Sequence, residues 1–380
     1  MIDLSLSSEQ ELIKDTAKDF ATTHLLPGVI ERDEEQKFPH SEIKKMGELG
    51  FMGMMIPEEW GGSGLDTISY VIALEEIAAI ELATSTIMSV NNSLVCQVLL
   101  DWGNDTQKTK YLMPLASGLK LGAYSLSEPQ SGSDASNMRT YAEKNGNEFI
   151  VNGVKNWVTS GQNSDFIIFF CKTDKEGGSK GISAFIIEKG TPGLTVGEKE
   201  DKLGIRASDT CELYFDNCKI SEKNLIGDQG QGFTIAMKAL GAGRIGIAAQ
   251  SIGLARSALE KAIKYSSERE QFGQPIRKFG AIQNKVADMA TNIDAARLLV
   301  WQAAILKDQG KDFSKESSMA KLFASSTAMT AASDCVQIHG GYGYMQEYGV
   351  ERLMRDAKIT EIYEGTSEIQ RLVISRELFK

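Results

Sequence analysis

Asp165-Phe166-Ile167-Ile168-Phe169-Phe170-Cys171, followed after a polar stretch by Ile182-Ser183-Ala184-Phe185-Ile186-Ile187, is the texture that divides this chain. Each run is short, rich in β-branched and aromatic residues and bounded by turn formers, so each reads as a strand rather than a helix. Glu148 to Val151 and Cys211 to Phe215 are of the same kind, and Asn145-Gly146 and Asn152-Gly153 are hairpin-type turn dipeptides. This β texture is confined to about Gly118 to Asp228. It has no alternation of strands with helices and no G-x-G-x-x-G after a strand, which disfavours a Rossmann domain.

Outward on both sides the period changes. Ser7 or Ser8 can cap a first helix, in which Leu12, Ile13, Ala17, Phe20 and Ala21 recur near helical spacing. Further helices are expected at Ser41 to Leu49 and Thr67 to Ala83. The glycine-rich Pro57 to Gly64 loop precedes no phosphate-binding motif and reads as packing. Beyond the turn-like Gln229-Gly230-Gln231-Gly232, helical patterns run from Phe233 to Tyr265, Gly280 to Gln309 and Lys315 to His339. We therefore expect an α+β chain in three units: a helical domain over 1–117, a β domain over 118–228 and a helical domain over 229–380.

Composition removes several function classes. Of 380 residues, 42% are hydrophobic and 24% charged, ordinary for a globular protein. The net charge of −10, with no Lys/Arg cluster, argues against nucleic acid as a partner. Ile68 to Ala83 is the most apolar helical stretch, but Glu75, Glu76 and Glu81 interrupt it, so no membrane span is expected. Between Met1 and Ser7 there is no room for a signal or transit peptide, which points to a cytoplasmic, bacterial protein. The five cysteines are scattered without a C-x-x-C pair, and the three histidines are too few for a zinc site or a hydrolytic triad. No metal is expected, and an acid or base in this chain is a carboxylate.

Four segments could carry chemistry. In Ile362-Tyr363-Glu364-Gly365-Thr366-Ser367 a carboxylate meets a glycine turn and then a helix start, to about Leu378, that Thr366 or Ser367 can cap. Free amides at such a turn suit a polarised oxygen, and Glu364 beside them suits proton abstraction from a neighbouring carbon acid. A solvated glutamate before a helix has the same spelling. Tyr124 to Asp134 runs from a strand into a Ser/Gly loop, which is either a cradle for a planar heterocycle and its phosphates or a plain surface loop. Asn152 to Gly161 offers Trp157 as an aromatic wall and Thr159 as a hydroxyl on the same strand face, or else a core Trp and a surface Thr. Gln337-Ile338-His339-Gly340-Gly341-Tyr342-Gly343 ends a long helix with more glycines than one C-cap needs, which commonly marks close backbone approach.

Together these segments resemble the acyl-CoA dehydrogenase family of flavoproteins over essentially the whole chain. Its first signature is similar to Leu126-Ser127-Glu128 with Ser131-Gly132-Ser133-Asp134, and its second to Gln337 through Gly340-Gly341, Gly343, Glu347, Arg352 and Asp356. The resemblance implies a helical domain, a central β-barrel-like domain and a C-terminal four-helix domain, with FAD between the last two. Tyr124, Leu126, Ser127, Gly132, Ser133, Trp157, Val158 and Thr159 would surround the flavin. Arg269, Gln271 and Phe272, in an R-x-x-F-G turn, would reach the FAD of a neighbouring subunit, which implies a homotetramer. Gln337, Gly340, Gly341, Thr366 and Glu368 would lie along the rest of that cofactor.

For the substrate, the resemblance implies an acyl-CoA held by Ser133, Gly241, Arg244, Tyr363 and Gly365. Glu364 would remove the α-proton while a hydride leaves the β-carbon for flavin N5, giving a trans-2-enoyl-CoA. The Glu364 amide and an FAD ribityl hydroxyl would polarise the carbonyl, and electron-transfer flavoprotein would be the acceptor. Some relatives carry the base just before the arginine matching Arg244; here that position is Gly243, which favours Glu364. Leu240 to Gly246 looks most like short-chain or butyryl enzymes, although Gly241, Gly280 and Ser125 each replace a commoner residue. Other readings within the family are an acyl-CoA oxidase, which is usually longer, and a nitroalkane oxidase, which would carry Asp at 364. Two non-dehydrogenase readings are a flavin-containing nucleic-acid binder, which needs a basic surface, and an acyl-CoA-binding scaffold, which has no use for Glu364.

Overall fold

A computed structural model describes residues 5–380; the Met1 end of the first unit lies outside the described residues. Ser7 caps α1 (Ser8–Phe20) in a reciprocal capping box with Gln10. Helices α2 (His40–Glu48), α3 (Thr67–Ile80) and α4 (Leu82–Ser89) follow. The single helix expected from Thr67 to Ala83 is thus broken at Glu81, whose backbone is extended. Glu81 turns inward instead, 2% exposed, to take Arg32 Nε at 3.0 Å. A buried carboxylate needs such a partner, and reaching it outweighs one more helical turn.

The central unit is one eight-stranded sheet. Its strands are β1 (Gly122–Ser125), β2 (Tyr141–Asn145), β3 (Glu148–Thr159), β4 (Phe166–Lys172), β5 (Ile182–Glu188), β6 (Leu194–Lys199), β7 (Thr210–Ser221) and β8 (Leu225–Ile226). The order is β6-β7-β3-β2-β4-β5-β8, with β1 parallel to β4 off that path. Strand alternation separates two cores. Ile167, Phe169 and Phe185 pack with Phe149, Leu213 and Phe215, whereas Ile168, Phe170 and Ala184 face Leu94, Leu112 and Ile235 of the helices. Asn145-Gly146 does close the β2–β3 hairpin, but Asn152-Gly153 lies inside β3. Gly153, at φ +150°, sits at a register shift between β3 and β7, and a Cβ there would strike Thr140. The dipeptide makes a bulge instead of a turn.

Three long helices return as α5 (Gly232–Glu268), α6 (Gly280–Asp308) and α7 (Ser314–His339), followed by α8 (Val350–Thr360) and α9 (Ser367–Leu378). A two-stranded hairpin, Glu270–Gln271 with Gln274–Pro275, joins α5 to α6. Alanines Ala248, Ala255, Ala296, Ala303, Ala324 and Ala331 fill the seams and let these helices approach closely. Glu75 on α3 accepts Arg297 of α6 through both oxygens, at 3.1 and 2.9 Å, and Glu76 accepts Arg256 of α5 at 2.7 Å, so the charges that interrupt the apolar helix are spent on packing. Among the described residues no helix is long and apolar enough to cross a membrane. The sheet unit docks on α8 through Ile205 N–H, which donates to Asp356 Oδ1 at 2.6 Å.

Candidate active site

The turn from α8 to α9 carries the predicted base. Glu364 is left-handed at φ +53° and Gly365 follows at φ +99°, a conformation only glycine takes readily. A non-glycine residue there costs about 1–2 kcal/mol, so something must hold it. Gln370, with a fully buried side chain, donates to the Gly365 carbonyl at 2.8 Å and the Glu364 carbonyl at 3.3 Å. Lys321 Nζ, buried on α7, donates to the same Gly365 carbonyl at 2.8 Å. Thr366 caps α9 by accepting from Ile369 N–H at 3.4 Å. The Glu364 N–H finds no acceptor among the described residues.

The Glu364 side chain enters a slot beside α5. A Cβ at Gly243 would lie 2.0 Å from its Oε2, so the missing side chain makes the room. Oε2 is buried and has no hydrogen-bond partner among the described residues. Burial pushes the carboxyl up to about 7, with Lys321 and Arg244 pulling the other way. Arg244 is 6% exposed and donates to Ser318 Oγ at 3.1 Å. Buried hydroxyls complete the wall. Tyr70 donates to Ser89 Oγ at 3.1 Å, Tyr363 donates to Gln250 Oε1 at 3.2 Å, and the Tyr124 hydroxyl has no partner among the described residues. Burial first, and then the Glu364 charge, raise the pKa of all three phenols.

The predicted flavin-side segments come from the sheet. Trp157, at φ +61° and beside a register shift between Lys155 and Val158, is 62% exposed. Thr159 lies on the same side, partly exposed, while Val158 is fully buried in the sheet core and offers a ligand only its main chain. Leu126 and Ser127 are partly exposed, and Gly132 and Ser133 are exposed beyond them. The loop is pinned by an ion pair that sequence reading passed over: Lys155, fully buried, donates to Glu128 Oε1 at 2.8 Å and to the Leu126 carbonyl at 3.1 Å. Glu128 also accepts from the Arg139 and Thr140 amides. Burial opposes its ionisation, but Lys155 and these donors bring it down to about 2.

Arg269, Gln271, Gly340 and Gly341 meet elsewhere. They line a groove of about 550 Å³ with Tyr265, His339 and Tyr342, which includes none of the residues around Glu364. Phe272, at φ +53°, is 93% exposed at the hairpin tip. Gln337 and Glu368 are exposed, Thr366 is partly so, and Gly241 lies on the α5 surface with Phe313 nearby. Sequence reading therefore found the groups that face outward or carry a motif. It missed Lys321, Gln370, Lys155 and Tyr70; a lone lysine in the apolar run Met319-Ala320-Lys321-Leu322-Phe323-Ala324 was the available signal.

Models of the acyl-CoA dehydrogenase N-terminal, middle and C-terminal domains match residues 7–119, 123–218 and 230–379. The chain belongs to the acyl-CoA dehydrogenase family. It is 50% identical to an acyl-CoA dehydrogenase of Bacillus subtilis, covering 99% of both chains. The butyryl-CoA dehydrogenase structure from Megasphaera elsdenii superposes with a TM-score of 0.98 at 45% identity, over 100% of each chain. A chain in the structure described as the electron transferring flavoprotein of Acidaminococcus fermentans, towards a mechanism of flavin-based electron bifurcation, superposes with a TM-score of 0.99 at 49% identity, again over 100% of each. As a member of this family the chain is an oxidoreductase, and its cofactor is FAD. Its residues fit that group. Tyr124 Oη, Ser125 Oγ and Asn156 Oδ1, in the two segments predicted to flank the flavin, are buried polar atoms without partners among the described residues, as expected where a polar molecule completes a site.

Proposed function

We propose that this chain dehydrogenates a short acyl-CoA thioester to the trans-2-enoyl-CoA, with Glu364 as the base that takes the α-proton and electron-transfer flavoprotein as the next electron carrier. The observation that supports it most is Glu364 itself: a strained turn, a buried oxygen without a partner among the described residues, and a carboxyl raised to about 7. A base works best with its pKa near the operating pH. The open Glu364 amide fits a donor to the thioester carbonyl, which acidifies the α-carbon. Bound FAD supplies a two-electron acceptor for the hydride from the β-carbon. Tyr124, Leu126, Ser127, Gly132, Ser133, Trp157, Val158 and Thr159 are our candidates to hold its ring, with Trp157 excluding water.

A short acyl chain is favoured by what lies beside the base. Tyr70–Ser89 and Tyr363–Gln250–Ser85 are buried, mutually bonded polar pairs that a long apolar tail would have to separate. Ser133, Gly241, Arg244, Tyr363 and Gly365 are the proposed substrate contacts. The exposed Arg269–Phe272 hairpin and the Gly340–Gly341 groove, together with Gln337, Thr366 and Glu368, are proposed to serve the cofactor across a homotetramer in the cytoplasm. The unit boundaries after 117 and 228 belong to the same proposal. Anaerobic bleaching of the flavin by acyl-CoAs of increasing length and branching tests the reading: rapid bleaching by four-carbon esters is expected, and a yellow protein that no acyl-CoA reduces would overturn it.

A further inference from the structure

Lys321 has more charge than its hydrogen bond needs. Its side chain is fully buried on α7, where an ammonium is costly, and the carbonyl it serves, that of Gly365, already takes a 2.8 Å bond from Gln370. A neutral donor would suffice to close the turn. What a lysine adds is a positive charge at the carbonyl of the residue that follows Glu364, whose Oε2 has no hydrogen-bond partner among the described residues.

We propose that Lys321 is a positioning residue for the base: it clamps the Glu364–Gly365 turn through the Gly365 carbonyl, and its charge keeps the Glu364 carboxylate ionised in a buried slot. This rests on the reading of Glu364 as the base. The charges facing the pair come from every element packed around it. Arg244 of α5 lies on the same side of the balance, Glu361 and Glu368 pull on Lys321 from the ends of the turn, and the Tyr70, Tyr124 and Tyr363 phenols feel Glu364 from α3, β1 and the turn itself. Burial lowers Lys321 to about 8, with Glu364 as its main opposing partner, so the ammonium is still charged where Glu364 titrates. Arg244 is tied to Ser318. Lys321 is the cation that holds the turn directly.

The test is the pH profile of kcat/KM for the flavin-loaded enzyme, because its acid limb reports the free enzyme's base. Removing the cation disfavours the carboxylate, so its pKa rises and the limb moves to higher pH. Lys321→Gln keeps a donor for Gly365 and loses the charge; we expect the limb to move up by about one pH unit, a tenfold loss below it, with recovery toward the alkaline plateau. Lys321→Arg keeps the charge and is expected to leave the limb where it is. A purely structural lysine would give a lower plateau or melting temperature with an unmoved limb in Lys321→Gln, and that result overturns the proposal. Should the neutral variant not fold, a limb displaced by a full unit in Lys321→Arg overturns it equally. Glu364→Gln separates the two readings: if it is inactive while Lys321→Gln leaves the limb unmoved, only the role of Lys321 falls, and if it is active both fall.

Discussion

Two glutamates in this chain keep a carboxyl oxygen out of water near a lysine, and their surroundings suit them to opposite tasks. In the sheet unit Glu128 meets Lys155 directly at 2.8 Å and accepts backbone amides as well, so its carboxylate is saturated and held at about 2. In the helical unit Lys321 donates to the Gly365 carbonyl and not to the Glu364 carboxylate, whose Oε2 has no partner among the described residues and which burial raises to about 7. Hydrogen bonds to an ionised carboxylate stabilise it and make it a poor base, while burial without them makes it a good one. The first arrangement builds a loop. The second suits the proposed base.

The comparison can be broken most decisively at the base. Glu364→Gln should retain flavin and fold but lose about a thousandfold in the rate of substrate-induced bleaching, within the usual reach of general-base removal; activity near that of the parent would end the assignment. The matching change on the other side, Glu128→Gln, leaves the Lys155 ammonium buried without its counter-charge. It should destabilise by about 3–5 kcal/mol and release flavin, read from thermal melts and flavin-to-protein ratio; a variant as stable as the parent would show that the pair is not what holds the loop. Gly243→Ala places a methyl where Oε2 lies and should lower kcat/KM by about a hundredfold with little change in melting temperature, since a displacement near 1 Å at a reacting group has that effect.

The smallest effect is a difference in sign. Glu364 is raised in the folded chain relative to its ordinary value of 4.5, so the folded state holds the proton more tightly and loses stability as pH rises from about 4.5 to 7. Glu128 is lowered, so its contribution is present above about 4.5 and is lost as pH falls toward 2. Glu364→Gln should therefore stabilise the protein at pH 7.5 by about 2 kcal/mol relative to its effect at pH 5. Equal effects at both pH values, followed by denaturant unfolding, would mean that Glu364 is not desolvated.

What sequence reading reached, and what it did not, follows the range of the forces involved. The helices at Gly232–Glu268 and Gly280–Asp308 and the strand at Phe166–Lys172 announce themselves by period and composition, which are local. Thr366 as a cap and Gly365 as the turn residue are local too. Gly153 was misread because Asn-Gly spells a turn wherever it occurs, and only pairing with β7 shows that the residue is needed as a bulge. Glu81 breaks its helix for Arg32, whose position along the chain gives no hint of the contact. Lys321, Gln370 and Lys155 act on main-chain atoms brought to them by packing, so apart from the apolar run around Lys321 nothing in their spacing or type distinguishes them from surface polar residues. Motif reading named candidate ligand contacts and passed over the side chains that hold those segments in place.

The empty side of Gly243 has a consequence for descent. Positions 243 and 364 draw on one volume, so the acceptable residues at either depend on what occupies the other. A change to a larger residue at 243 would be harmful on this background and harmless on one where 364 has already become small. The order in which such changes could accumulate is thereby biased: a side chain grows from α5 at least cost once the carboxylate at 364 has turned aside or been lost. Lineages that have drifted apart at this pair would not exchange single residues freely, and a chimaera joined between the two positions would inherit either a clash or a void.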